Sequence, residues 1–260
     1  MSASLAPSVR RLRSTARAML AFPEPESWLD VGTGDARFPE AAKQLFPYTA
    51  FDGLDPTPRV ERARWAERVE EAYLGDLTDS QITARLHARY DVVSLLHHLP
   101  HTPDPGAELH AALALLRPGG HLVLELPDPR CAFARILGKR WHAHPPPGNP
   151  PLTPLDDLLE VLESQGCTII TTDRRAAHLP HDLSYTLALA LPKSLPTWLT
   201  TSLLAAAKAA DHTLAPLLRH TRFANTYRVI ARKGRVSPAA PAPGPPPPAA
   251  PARTRPRTPR

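Results

Sequence analysis

Short apolar runs alternate with amphipathic stretches along most of this chain. Trp28–Val31, Thr49–Leu54, Ala72–Leu74, Asp91–Leu96 and His121–Leu126 read as strands. Between them, Ala36–Phe46, Pro58–Val69, Gln81–Ala88 and Gly106–Leu116 carry apolar residues at helical spacing. Strands separated by helices of this length predict a parallel sheet covered on both faces. A helix from Ser8 to Ala21 precedes the series. Thr153-Pro154 opens another through Ser164, with Asp156 and Asp157 near its positive end. Cys167–Thr172 and Thr226–Ala231 are two further strands, and the Ala/Leu-rich stretch Leu183–Leu218 is helical, broken at Pro192 and Pro196.

From Pro127 to Pro151 the pattern stops. Seven prolines fall there, which predicts a long loop with one helical turn near Phe133, of the kind that serves as a lid or binding loop. After Val236 come ten of the chain's 33 prolines. The expected organisation is an N-terminal helix over 1–25, one folded unit over 26–235 and a disordered Pro/Ala/Arg-rich tail over 236–260.

Charge changes the picture less than the total of +6 suggests. Arg10, Arg11, Arg13 and Arg17 lie in an acid-free N-terminal segment, and Arg253, Arg255, Arg257 and Arg260 in the acid-free tail. Setting these eight aside leaves 23 basic residues against 25 acidic ones, so the body has no basic face suited to nucleic acid. Two cysteines, Cys131 and Cys167, exclude a disulfide framework and point to reduced thiols. No apolar run reaches the ~18 residues of a membrane span. The Arg/Ser-rich start also fits a transit peptide, but the first strand follows so soon that a surface-docked helix is the preferred reading. Reduced thiols fit a cytoplasmic location, and the Ala/Pro/Arg bias resembles that of a high-GC bacterial genome.

The candidate chemistry begins where the first strand meets its helix, at Leu29-Asp30-Val31-Gly32-Thr33-Gly34-Asp35-Ala36. Glycines there admit close backbone approach, and the helix start offers free N–H groups to a polar ligand. Asp55 ends the second strand, where a carboxylate can accept from both hydroxyls of a ribose. Gly75-Asp76-Leu77 ends the third, where a carboxylate can accept from an exocyclic amine. Three such groups at successive strand ends obey the rule that open parallel sheets bind ligands at their carboxyl edge.

On these residues, together with Phe51-Asp52-Gly53-Leu54-Asp55, Tyr90-Asp91-Val92-Val93-Ser94-Leu95-Leu96-His97 and Leu115-Leu116-Arg117-Pro118-Gly119-Gly120-His121-Leu122, the chain resembles the class I S-adenosylmethionine-dependent methyltransferases. The resemblance runs from Trp28 to Pro127, and more loosely to Lys233. It implies a Rossmann-like, doubly wound α/β fold. Its sheet would have seven mostly parallel strands, the last antiparallel, with a helical insert before that strand. It implies S-adenosylmethionine as cofactor and a small-molecule methyl acceptor, with O- or C-methylation in quinone or natural-product biosynthesis as the specific expectation. By position, Asp30 would lie near the methionine ammonium, and Gly32, Thr33 and Gly34 would border the methionine–ribose portion. Asp55, with Pro56 beside it, would hold the ribose. Asp76 and Leu77 would border the adenine, and Ser94 and Leu95 would line the end of the fourth strand. Ala36 stands where the family carries a third glycine, and Pro100 where relatives with a His-x-x-Glu-His pattern carry glutamate.

A hydroxyl acceptor is helped by a general base. His98 and His101, after the fourth strand, and His142, in the proline-rich loop, are the candidates; the alternative is that they are solvated or backbone-bonded loop histidines. A metal on His97, His98 and His101 is disfavoured, because adjacent strand-end residues point apart and no Cys or carboxylate pair completes a set. A nicotinamide-dependent oxidoreductase would want Gly-x-Gly-x-x-Gly, whereas position 37 is Arg37. A methyltransferase-like scaffold that has lost catalysis stays open: it would bind S-adenosylhomocysteine without turning over any substrate. The sequence leaves the oligomeric state open.

Overall fold

The computed structural model describes residues 9–141, 143–145, 149–192 and 194–234. The tail expected over 236–260 lies outside the described residues, as does His142. Seven strands form one sheet: β1 (Ser27–Val31), β2 (Ala50–Asp55), β3 (Ala72–Leu74), β4 (Tyr90–Leu96), β5 (Leu116–Pro127), β6 (Cys167–Asp173) and β7 (Thr226–Lys233). Their order is β3-β2-β1-β4-β5-β7-β6. The first five run parallel, and β7 lies antiparallel between β5 and β6.

The period-two alternation of strands decides which side chain meets which layer. Leu29, Val93, Leu122, Leu124, Tyr227 and Val229 point into the larger core, which α5 (Pro105–Leu115) and α7 (Leu155–Ser164) cover. Trp28, Phe51, Val92, Val123 and Ile230 point the other way, toward α1 (Val9–Arg17) and α2 (Arg37–Ala42). Trp28 sits at the centre of that layer, fully buried, with the Phe38, Phe46 and Phe51 rings 5.5, 5.7 and 5.4 Å away. The N-terminal segment does not merely rest on the surface. Leu12, Ala16 and Met19, the last in a 3-10 turn over Ala18–Ala21, are buried in this core.

Short helices α3 (Arg59–Trp65), α4 (Ser80–Leu86) and α6 (Ala132–Leu137) complete the connections. The Arg117–Gly120 cluster does not stand apart from the fifth strand. β5 starts at Leu116 and bulges through the cluster, pairing Tyr90 with Leu116 and Val92 with His121. Before β7, α8 (Asp182–Ala190) and α9 (Thr197–Leu218) form the helical pair expected from the proline breaks. Asp211 of α9 accepts from the Leu183 and Ser184 amides at the start of α8, which supplies that helix with the acceptors its own residues lack.

Candidate functional site

A cavity of about 770 Å³ opens at the carboxyl edge of β1, β2, β4 and β5. Its first half is built by the β1–α2 turn. Gly32 and Gly34 take the left-handed conformation, with φ of +68° and +52°. A Cβ on Gly32 would stand 2.5 Å from His98 Nδ1, so the turn needs glycine there for space as well as for conformation. Ala36 adopts φ +53° and is fully buried, so the place of the third glycine keeps a glycine-like conformation despite its methyl group. Asp55 clamps the turn: Oδ2 accepts from Gly34 N at 2.8 Å and Oδ1 from Thr57 N at 2.9 Å.

The same alternation that buries Trp28 places Asp30 two residues on, on the same face and in register with Ser94. Trp28 Nε1 donates to Ser94 Oγ at 3.0 Å, and Ser94 Oγ donates to Asp30 Oδ1 at 2.6 Å. Burial raises the Asp30 carboxyl to about 6, against the opposing hydrogen bond from Ser94. Asp30 is thus a carboxylate whose charge is poorly compensated and faces a cavity.

The second half continues this polar row across the sheet. Glu125 pairs across strands with Arg228, on the face of Val123 and Ile230. Arg228 Nη2 lies 2.6 Å from Glu125 Oε1, and both side chains are about 2% exposed or less. From α1, Thr15 Oγ1 donates to Glu125 Oε1 at 2.6 Å and Arg11 Nη2 to Glu125 Oε2 at 2.9 Å. Arg11 Nη2 also contacts His97 Nε2. Burial works to raise the Glu125 carboxyl, but Arg11, His97 and Arg228 outweigh it and hold it below the usual range. Burial lowers His97, and Arg11 lowers it further. His97 itself sits at φ +57°, a strained conformation for a non-glycine residue.

The structure gathers Asp30, Gly32, Thr33, Gly34, Asp55 and His101 on the cavity wall. Ser94 is fully buried behind Asp30 and supports it without reaching the opening. Leu77 and Leu95 point into the larger core, with Leu96, one residue on, at the cavity. Asp76 and Pro56 are exposed and do not line the cavity; Asp76 follows β3, the edge strand, and Pro56 follows Asp55 at the end of β2. His98 turns beneath the glycine turn, with Nε2 3.2 Å from Glu108 Oε2, and does not reach the cavity. Burial lowers His101, which leaves it neutral at neutral pH. Among the described residues, no group of three or more His, Cys, Asp or Glu is placed to hold a metal ion.

The sequence reading missed Arg11, Glu125 and Arg228. Their signal was there: a glutamate inside Leu-Val-Leu-Glu-Leu and an arginine inside Tyr-Arg-Val-Ile are charges in strands too apolar to face water. Arg59 was missed as well. It pairs with Asp35 at 2.6 Å across Gly34, next to Asp55.

A glycine turn between two strand-end carboxylates, on a 3-2-1-4-5-7-6 sheet with one antiparallel strand, defines the Rossmann-like methyltransferase class. The sequence model of the family described as "Methyltransferase domain" matches residues 5–172, α1 included. The chain belongs to that family, the class I S-adenosylmethionine-dependent methyltransferases. Over 116 residues it is 29% identical to a ubiquinone biosynthesis O-methyltransferase of Alkalilimnicola ehrlichii, covering 44% of this chain and 47% of that protein. It is 31% identical, also over 116 residues, to the protein of the same name in Azotobacter vinelandii, covering 44% and 50%. The chain thus spans about half the length of the curated relatives it matches. A solved S-adenosylmethionine-dependent methyltransferase from Archaeoglobus fulgidus shares the fold, with a TM-score of 0.53 and 16% identity over 87% of this chain and 95% of that one.

The first half of the cavity suits the family's cofactor on three counts. Thr33 Oγ1 is buried beside the Asp30 carboxyl, with no hydrogen bond of ordinary geometry. Asp55 Oδ2 accepts one hydrogen bond and keeps a second lone pair for a hydroxyl. Asp30 offers a buried carboxyl that a cation would stabilise in its charged form.

Proposed function

We propose that this protein methylates an oxygen or carbon atom of a small molecule, of the quinone or natural-product kind, at the expense of S-adenosylmethionine. The observation that carries this reading is one cavity whose one half ends in Asp30, Gly32–Gly34 and Asp55 and whose other half ends in His97, His101 and Glu125. The relatives named for ubiquinone biosynthesis support an oxygen acceptor. When bound, the cofactor supplies a methyl group already activated by a sulfonium charge.

The chain's own residues then bind, align and remove a proton. Asp30 would take the ammonium and Asp55 the ribose hydroxyls, which would hold the donor against the β1–α2 turn. Holding the acceptor oxygen in line with the methyl group supplies roughly 7–11 kcal/mol of the barrier by removing the cost of encounter. A hydroxyl acceptor so placed would give up its proton to His101 as it takes the methyl group. A neutral His101 is the form that can take it. Incubating the full chain with methyl-labelled cofactor and a panel of dihydroxylated aromatics tests the reading. One labelled methyl per product supports it. Saturable S-adenosylhomocysteine binding with no product from any oxygen or carbon acceptor would leave a scaffold instead.

A further inference from the structure

Behind the acceptor half of the cavity, two arginines, Arg11 and Arg228, share one acid, Glu125. Among the described residues no second carboxylate pairs with either arginine. His97 is neutral where it accepts from Arg11, and so balances nothing.

The two arginines differ in how fully they are used. Arg228 places Nε and Nη2 on Glu125, Nη2 also on Thr15, and Nη1 on the Ser14 carbonyl. Arg11 engages Nη2 alone. Its Nε is buried without an acceptor, and no hydrogen bond is made by Nη1 among the described residues. Yet its side chain, 14% exposed, lines the cavity. A nearly buried cation with idle donors and half a counter-ion is costly unless a ligand supplies the anion. The other polar residues lining this end, His101, His144, His181, Tyr185, Asn225 and Thr226, bring no negative charge to the wall, and the buried Asp211 carboxylate near His181 is taken up by the Leu183 and Ser184 amides. A planar guanidinium in this state matches a carboxylate in charge and in shape.

We propose that the methyl acceptor carries a carboxylate and that Arg11, reaching in from the N-terminal helix, is the residue that seats it. The proposal rests on the reading of this cavity as a methyl-acceptor site and narrows its substrate class. It also gives α1 a part in specificity: the helix is held to the sheet by the same cluster that presents the cation.

The test titrates the full chain, with S-adenosylhomocysteine present, against 3,4-dihydroxybenzoate and against catechol, which lacks only the carboxylate. Calorimetry or ligand-observed NMR reads both affinities. The expected result is binding of 3,4-dihydroxybenzoate at least tenfold tighter than catechol, with the ratio falling to near one in Arg11→Gln. Equal affinities in the unaltered protein, tighter catechol, binding of neither probe, or a ratio that survives Arg11→Gln overturns the proposal. Should Arg11→Gln fail to fold, the comparison in the unaltered protein still decides. Failure of S-adenosylhomocysteine itself to bind counts against the methyltransferase reading instead, and the carboxylate preference is then read without it.

Discussion

Asp30 makes the proposed cofactor site sensitive to pH in a calculable way. Its carboxyl, raised by burial, is half ionised near pH 6, against 3.8 for the ordinary side chain. A ligand ammonium binds the carboxylate and not the acid. The carboxylate fraction is about one tenth at pH 5 and about nine tenths at pH 7, so affinity for S-adenosylhomocysteine should fall about tenfold between pH 7 and pH 5. Stability of the unliganded protein moves the other way. Folded Asp30 keeps its proton up to about pH 6, while the unfolded chain loses it near 3.8. Its contribution is therefore present below that lower value and is lost as pH rises toward 6. Calorimetric titration at pH 5, 6 and 7 reads the affinity, and buffers of different ionisation enthalpy read the proton released near pH 6. Asp30→Asn should flatten the profile. It should also weaken binding at pH 7 by about 1.5–3 kcal/mol, the worth of a hydrogen bond to a charged group. A flat profile in the unaltered protein, or a slope that persists in Asp30→Asn, refutes the assignment of Asp30 to the ligand cation.

Three further outcomes follow from the geometry. Glu125→Ala strands Arg11 and Arg228 together and should cost about 3–5 kcal/mol, seen as a fall in Tm of roughly 6–20 °C; a Tm within about 2 °C of the unaltered protein would show the cluster to be energetically idle. His101→Ala should lower kcat for a hydroxyl acceptor by about 10²-fold while leaving Tm unchanged, and should remove the acidic limb of the rate profile, which lies below the ordinary histidine range. His98→Ala should do the reverse, lowering Tm through loss of the Glu108 contact with kcat changed by less than about threefold, since His98 packs under the turn and not at the cavity.

The sheet was legible because period-two apolar runs and breaker clusters are local signals, and the first three strand ends carried a glycine or an acid. Asp30, Gly32, Thr33, Gly34 and Asp55 could be placed at the cavity for that reason: strand ends on adjacent parallel strands share one edge. Asp76 and Leu77 follow a strand end too. β3, however, is the outermost strand and only three residues long, and its end does not line the cavity. Ser94 and Leu95 show the limit of position without facing. Neighbouring residues on a strand point to opposite layers, and only Ser94 shares the face of Asp30. The Arg11–Glu125–Arg228 cluster joins residues separated by more than a hundred positions each way. Nothing local fixes such pairing, although the lone charges inside apolar strands marked two of its members.

The central claim is that an adenosyl ligand occupies the crevice between Gly32 and Asp55. Calorimetry of S-adenosylhomocysteine on the full chain, compared with Asp55→Ala, tests this most directly. The prediction is one saturable site in the unaltered protein and a loss of about 1.5–3 kcal/mol or more in the variant, which gives up both a ribose acceptor and the clamp on Gly34 N. No saturable binding, or an affinity that Asp55→Ala leaves intact, would contradict it.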